Sequence, residues 1–152
     1  MKSFLNPTDR KEIFERLSNV QPDSQRRWGR MTPHQMICHL NDSFKLPLGE
    51  RSAGSVENLF TRTVMKWIAL RAPLPWPHGV KTMPEMDQEV GGTPPGGFDR
   101  DRRELEKLIE RFAEGQRNGE FAPHPFSGRM SDSDWQRWGY LHCDHHFRQF
   151  GV

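Results

Sequence analysis

Apolar residues recur at intervals of three and four positions along most of this 152-residue chain. That spacing places them on one face of an α-helix, and such a face is normally buried against other helices. The pattern predicts five helices: from about Thr8 to Ser18, from Pro33 to a stop at Pro47 and Gly49, from Ser55 to Leu70, from Asp99 or Asp101 to near Asn118-Gly119, and from Ser131 to about Phe150.

Boundary residues support these predicted helices. Thr32 is a good N-cap, and Pro33 follows at the first helical position, where a missing N–H costs nothing. Ser131 to Asp134 forms a Ser-x-x-Asp arrangement close to a capping box. The third helix has its predicted packing face at Leu59, Phe60, Val64, Trp67 and Ile68.

The segment from Arg71 to Phe98 contains six prolines and five glycines, so no regular element can persist there. Some of its apolar residues should pack on the helices. No segment alternates well enough to be a strand. We therefore expect one all-α domain over residues 1–152, a helical bundle with a short added helix and a long Pro/Gly-rich loop.

Charge and hydropathy give little support for several classes of partner. The chain has 22 Lys plus Arg against 20 Asp plus Glu, a balance that gives no support for nucleic acid or an anionic membrane as partner. No apolar stretch reaches membrane-spanning length, and the N-terminus lacks a signal-peptide apolar region. We expect a cytoplasmic protein in which Cys38 and Cys143 are reduced, apolar helix residues.

The seven histidines are the most informative residues for function. His142 and His146 lie about 40° apart on one face of the last helix, one turn from each other, so both can reach one metal ion. A catalytic zinc site usually has three protein ligands, and His39, on a helix face that looks inward, is the best third candidate. His145 is an alternative to His146.

Spacing alone leaves a second interpretation open. Histidine pairs four residues apart also occur by chance, and a helical histidine is more often a surface or hydrogen-bonded core residue than a ligand. His34 lies about 140° around its helix from His39 and is a poorer candidate, while His78 and His124 stand next to prolines in loops.

Three stretches carry a resemblance: Thr32 to Leu40, Gly128 to Ser131, and Leu141 to Phe150. With them the chain resembles, over nearly its whole length, the DinB-like superfamily of metal-binding four-helix bundles, and more narrowly a branch of unassigned function. The resemblance implies that His39, His142 and His146 bind nickel, zinc or a related divalent ion. It does not fix a reaction, because the superfamily includes thiol-dependent transferases and isomerases.

Neighbouring residues suggest how such a site would work. Asp42 and Asp144 could accept hydrogen bonds from the histidine ring N–H groups, although each could equally be a solvated helix carboxylate. Gln149 shares the His142 face and could orient a bound ligand. Trp135 and Trp138 are expected in the core or under an apolar pocket. The loop containing Trp76 could be a lid, a dimer contact or a simple cover for the end of the bundle.

Two classes of function follow from these residues. The first is a metal-dependent transferase or hydrolase in which the ion activates a low-molecular-weight thiol or water for attack on a small molecule. The second is a non-catalytic module that is stabilised by metal or forms a homodimer. No nucleophile elbow or phosphate-binding glycine loop gives independent support to an enzyme.

Overall fold

The protein is all-helical in the computed structural model, which describes residues 1–115 and 120–152. Within these ranges no strand occurs, and the one isolated β-bridge joins His124 and Gly128. This confirms the predicted all-α class. The helices are α1 (Pro7–Asn19), α2 (Pro33–Lys45), α3 (Lys66–Arg71), α4 (Phe98–Ala113) and α5 (Asp132–Gln149), with a π-helical turn at Thr61–Met65 and a 3-10 turn at Pro84–Met86.

The helix starts are fixed by local hydrogen bonds. The Thr32 side chain accepts from the backbone N–H of Gln35, whose own side chain accepts from the Thr32 N–H, so α2 begins with a full capping box. The Ser131 hydroxyl accepts from the Asp134 N–H at the start of α5. Both predicted caps are therefore confirmed.

Helix α4 differs from its prediction at the start. Its N-cap is Gly97, without a side-chain cap, and Asp99 and Asp101 lie in the first turn rather than at the cap. The Asp101 carboxylate instead accepts from the backbone N–H of Gly96 at 2.9 Å, and acidic residues in a first turn also stabilise the helix dipole. The α4 helix ends at Ala113; the predicted end near Asn118-Gly119 lies outside the described residues.

The predicted third helix is shorter and packs differently than expected. Only Leu70 of α3 is buried, whereas the predicted packing face of this segment is exposed. The reason is that α3 contacts α5 through its C-terminal end: Arg71 binds the Asp134 carboxylate at 2.5 Å, and Arg137 donates to the Leu70 carbonyl at 3.3 Å. The apolar stripe consequently faces away from the core.

The core lies between α2 and α5, with α4 packed on α2 and α1 packed on α5. Gly139 of α5 allows the closest approach in this core, because a Cβ there would lie 2.8 Å from the Phe112 ring and 2.9 Å from the Phe4 ring. Large buried side chains fill the interior; they include Phe4, Phe44, Phe112, Trp135 and Phe147.

The long loop packs partly on the helices, as predicted. Met86 is buried, Trp76 and Met83 are half-buried against the core, and Leu74 and Val80 are exposed. The 3-10 turn places the Met86 carbonyl within hydrogen-bonding distance of His39 on α2, so this part of the loop lies beside the histidines described below. Among the described helices, none is both long enough and apolar enough to cross a lipid bilayer.

Candidate metal centre

The rings of His39, His142 and His146 meet between α2 and α5. One ring nitrogen from each histidine lies within 4.8 Å of those of the other two. The ring centroids are 5.2 Å apart for His39 and His142, 4.7 Å for His39 and His146, and 5.0 Å for His142 and His146, a nearly equilateral triangle. The structure therefore brings together the three residues that spacing and resemblance singled out.

The outer nitrogen of the His39 ring is occupied. His39 is buried, and its Nδ1–H donates to the carbonyl oxygen of Met86 at 2.9 Å. This bond selects the tautomer with the proton on Nδ1, so that Nε2 presents a lone pair. That lone pair faces His142 Nε2 at 3.2 Å.

His146 is held in the same way by a different acceptor. Its Nδ1 lies 3.1 Å from the Gln149 side-chain oxygen, to which it donates in the tautomer that leaves Nε2 free. The Gln149 amide nitrogen in turn donates to the Trp28 carbonyl at 3.0 Å, which fixes the orientation of the amide. Gln149 therefore orients the ring of His146, whereas the sequence suggested that it could orient a bound ligand.

The three ring nitrogens that face one another cannot all be satisfied by hydrogen bonds among themselves, because too few of them carry a proton. An Nε2–H of His142 can donate to His39, but the lone pair of His146 then has no donor from these two rings. A divalent ion would accept all three lone pairs. Two imidazole nitrogens bound to a tetrahedral zinc lie roughly 3.4 Å apart, given Zn–N distances of about 2.0–2.1 Å, and the 3.2 Å separation of the His39 and His142 nitrogens fits this requirement.

The environment keeps these rings neutral. Burial lowers the pKa of His39, and burial together with the neighbouring histidines lowers the pKa of His142 and His146 well below the usual value. Only a neutral imidazole has a lone pair for a metal. The three neutral rings thus meet the electrostatic requirement for metal coordination as well as the geometric one.

Asp42 acts on the site through the loop. This buried carboxylate accepts hydrogen bonds from the Thr93 N–H at 2.7 Å, the Thr93 hydroxyl at 2.6 Å and the Gln88 amide at 3.1 Å. It also pairs with Arg51 at 3.1 Å, and Arg51 donates to the carbonyls of Glu85 and Gly91. Asp42 therefore holds the loop segment that supplies the Met86 carbonyl, rather than binding a histidine ring as predicted.

Asp144 and His145 face other partners. Asp144 pairs with Arg16 at 2.8 Å and Arg148 at 3.2 Å, so its predicted bond to a histidine ring is absent from the described contacts. Arg16 belongs to α1, which packs on α5, and Arg148 lies one turn after Asp144 on α5 itself, so both partners hold this carboxylate away from the triangle. The ring of His145 lies 6.0 Å from Trp76 and 6.2 Å from His78, outside the triangle of three histidines.

An aromatic layer beside the triangle was not foreseen from the sequence. Trp28 and His78 stack at 3.9 Å with an interplanar angle of 10°, and Trp76 lies 5.8 Å from His142. These residues come from two irregular segments, so no helical or strand periodicity in the sequence predicts that they are in contact. The Met86 carbonyl was missed for a related reason: every residue has a carbonyl, and its role depends on where the loop runs.

A second cluster joins His34, Cys38 and Asp101. His34 Nε2 binds the Asp101 carboxylate at 2.8 Å, and the Cys38 thiol lies 3.7 Å from the same oxygen. The guanidinium of Arg100 already pairs with Asp101 at 3.0 Å, and burial raises the pKa of Cys38 to about 12, so the thiol keeps its proton. This cluster is therefore a hydrogen-bonded contact between α2 and α4, in which Arg100 already supplies the positive charge next to the carboxylate.

Two surface clefts lie apart from the histidines. One, of about 460 Å³, is lined by the Pro22 to Arg26 segment and Phe150; the other, of about 500 Å³, is lined by Gly49 to Ser52 and by Glu85. Neither contains a residue of the triangle. The chemistry of the three rings, rather than cleft volume, therefore identifies the candidate site.

The sequence comparison gives a family without an assigned activity. DUF1569, described as a protein of unknown function, matches residues 2–151. No curated protein and no solved structure matches the chain. The functional argument therefore rests on the site itself.

Proposed function

We propose that this chain, which belongs to the DUF1569 family of proteins of unknown function, binds one divalent metal ion through His39, His142 and His146. The observation that carries the proposal is the convergence of three ring nitrogens within 4.8 Å. Two of these rings have their outer nitrogens tied to fixed acceptors, Met86 and Gln149, an arrangement typical of histidine ligands.

We also propose that the fold is the four-helix bundle of the DinB-like superfamily. In this reading α1, α2, α4 and α5 form the bundle, while α3 and the 71–98 loop are additions. Support comes from the placement of one histidine on α2 and a pair on α5, the arrangement that the resemblance implies. The free, buried cysteines fit the reducing cytoplasm that we propose as its compartment.

Three neutral imidazoles would leave the ion its full double charge, which acidifies a water or low-molecular-weight thiol in the fourth position. Zinc and nickel both suit this donor set. The chain would contribute the ring orientation through Met86 and Gln149. Trp76, beside His142, would limit access of water and contact a small apolar substrate. We therefore favour a metal-dependent transferase or hydrolase.

One observation favours the non-catalytic alternative, a metal-stabilised module. The two carboxylates nearest in sequence to the ligands are bound to other groups: Asp42 to Arg51 and the loop, and Asp144 to Arg16 and Arg148. Neither is placed as a general base for a metal-bound water. An enzyme of this kind would depend on the ion itself, or on a thiol cofactor, for activation.

The direct test is the metal content of protein purified without a His-tag or nickel resin. We expect about one divalent ion per chain, by analogy with three-histidine sites, and its loss in His142→Ala, measured by elemental analysis with circular dichroism as the check on folding. His34→Ala is the matched control, because His34 binds Asp101 outside the triangle and its loss should leave the ion bound. A folded wild-type protein that takes up no metal would refute the proposal.

A second measurement separates the two classes. If the metal-loaded protein accelerates reactions of low-molecular-weight thiols with small electrophiles, or hydrolysis of small esters, and His142→Ala does not, the enzyme interpretation holds. If rates stay uncatalysed while chelation lowers the unfolding temperature, the module interpretation holds. Protonated imidazole cannot coordinate, but burial lowers the pKa of all three rings. Loading should therefore persist below the pH at which an ordinary histidine protonates and weaken only at more acidic pH.

A further inference from the structure

The segment around α3 presents an apolar face to solvent. Phe60 and Trp67 are 58% and 62% exposed, and Val64 and Ile68 are also exposed. All four lie within nine residues of one continuous helical segment, which passes from the π-helical turn Thr61–Met65 into α3. We call these four residues the α3 face.

The α3 face belongs to a helix that is fixed in place. The opposite side of α3 buries Leu70, and the helix is tied to α5 by the Arg71–Asp134 ion pair and by the Arg137 bond to the Leu70 carbonyl. The Ala69 carbonyl also accepts from the indole N–H of Trp76 at 2.8 Å. The α3 face is therefore held in a fixed position, and no other described part of the chain covers it.

We propose that the α3 face binds a second copy of this chain and forms a two-fold symmetric dimer. With Leu59 and Met65 at its edges, the exposed apolar surface amounts to roughly 700 Å², taking full side-chain areas on the order of 150–250 Å². A standard stable interface buries about 800 Å² per partner, whereas a typical monomer exposes at most about 300–600 Å² in one apolar patch. The area matches one partner's share of a dimer interface.

The charges around the α3 face suit its own copy. Arg62 pairs with Glu57 and Arg71 with Asp134, so two of the three cations in this segment are neutralised within the chain. Among the described ion pairs, that leaves Lys66 as the one uncompensated cation of this segment. Two copies can therefore approach each other about a two-fold axis with little charge repulsion. An anionic membrane would require unpaired cations instead.

The test is the oligomeric state of the full chain by sedimentation equilibrium. Wild type should be a dimer at micromolar concentration, and Trp67→Glu should raise the dimer dissociation constant at least about 100-fold, because each dimer loses two central aromatic anchors. Val90→Glu is the matched control: Val90 is 71% exposed but lies in the loop, so dimerisation should be unchanged. A wild-type monomer at all concentrations would overturn the proposal.

A vesicle-sedimentation assay separates the dimer from the other occupant that an exposed apolar face could have. If wild type is instead monomeric and sediments with vesicles containing anionic lipid, the face binds membrane and the dimer is wrong.

Discussion

At the scale of single residues, the candidate metal centre depends on which nitrogen of each ring carries its proton. Gln149 and the Met86 carbonyl decide this for His146 and His39 by accepting from Nδ1. His142 has no such acceptor among the described residues, since its Nδ1 is buried without a hydrogen-bond partner. Its ring is positioned by packing against Trp138, 4.7 Å away between centroids.

Replacing Gln149 tests the importance of ring orientation. In Gln149→Leu the His146 Nδ1–H loses its acceptor, and we expect metal affinity to fall about 10–100-fold, the usual cost of removing a partner of a ligand histidine. Competition with a chromophoric chelator would measure it. Gln136→Leu is the control, because Gln136 is a buried α5 residue that donates to the Phe112 carbonyl instead. Equal losses in the two variants would mean that Gln149 acts only through stability.

His124 predicts an acid sensitivity separate from the metal. Burial lowers the pKa of His124 to about 4, below the value of about 6.5 expected in the unfolded chain. Above pH 6.5 the His124 ring is neutral in both the folded and the unfolded state. Between pH 6.5 and 4 it binds a proton in the unfolded state but not in the folded state, so the free energy of unfolding decreases as the pH falls.

A variant isolates this contribution. Asn can replace the Nδ1 acceptor that His124 offers to the backbone N–H groups of Phe126 and Ser127. Relative to His124→Asn, wild type should lose on the order of 2 kcal/mol of unfolding free energy between pH 7.5 and 4.5, measured by urea denaturation. Every other ionisable group is common to both proteins, so its contribution cancels in the difference. Parallel stability curves would rule out a neutral, buried His124.

At the scale of elements, the loop of residues 84–93 behaves as part of the site. It meets α2 twice: the Met86 carbonyl accepts from His39, and Thr93 donates to Asp42, three residues further along the helix. Arg51 bridges the two ends of this loop segment through the Glu85 and Gly91 carbonyls. The loop is therefore anchored on both sides of the His39 contact.

Asp42→Asn should loosen this anchor. An amide cannot accept from Thr93 and Gln88 as the carboxylate does, and it leaves Arg51 without its counter-charge. We expect about a 10-fold loss of metal affinity, together with faster hydrogen exchange of the Thr93 amide. Asp144→Asn is the control, because it removes an α5 carboxylate whose partners are Arg16 and Arg148 and not the loop. If both variants bind metal alike, the loop does not position His39.

Local signals predicted the elements better than their packing. Thr32 and Ser131 begin their helices as expected because a cap depends only on residues within one turn. The α3 stripe has correct helical spacing, but which face a short helix buries depends on its contacts with α5. The 71–98 loop was recognised as irregular, yet the contact of Met86 with His39 could not be read from it, since backbone carbonyls carry no sequence signal.

At the scale of the whole molecule, the sequence predicted which histidines meet because the decisive geometry is helical. His142 and His146 share a face by their spacing, and His39 lies on the inward face of α2. Only their joint placement required the fold. Metal binding by these rings stays a prediction, as does the activity. Asp42 and Asp144 differ from expectation because arginines outside their own helices, Arg51 and Arg16, are their partners.

The separation of His39 and His142 by 103 positions along the chain has a consequence for the molecule as a polymer. An ion bound to both would act as a reversible cross-link between distant points of the sequence. A permanent link closing a loop of this length restricts the unfolded chain by about 4–5 kcal/mol. Metal supply would then govern how long each folded copy survives proteolysis, whatever reaction the ion supports.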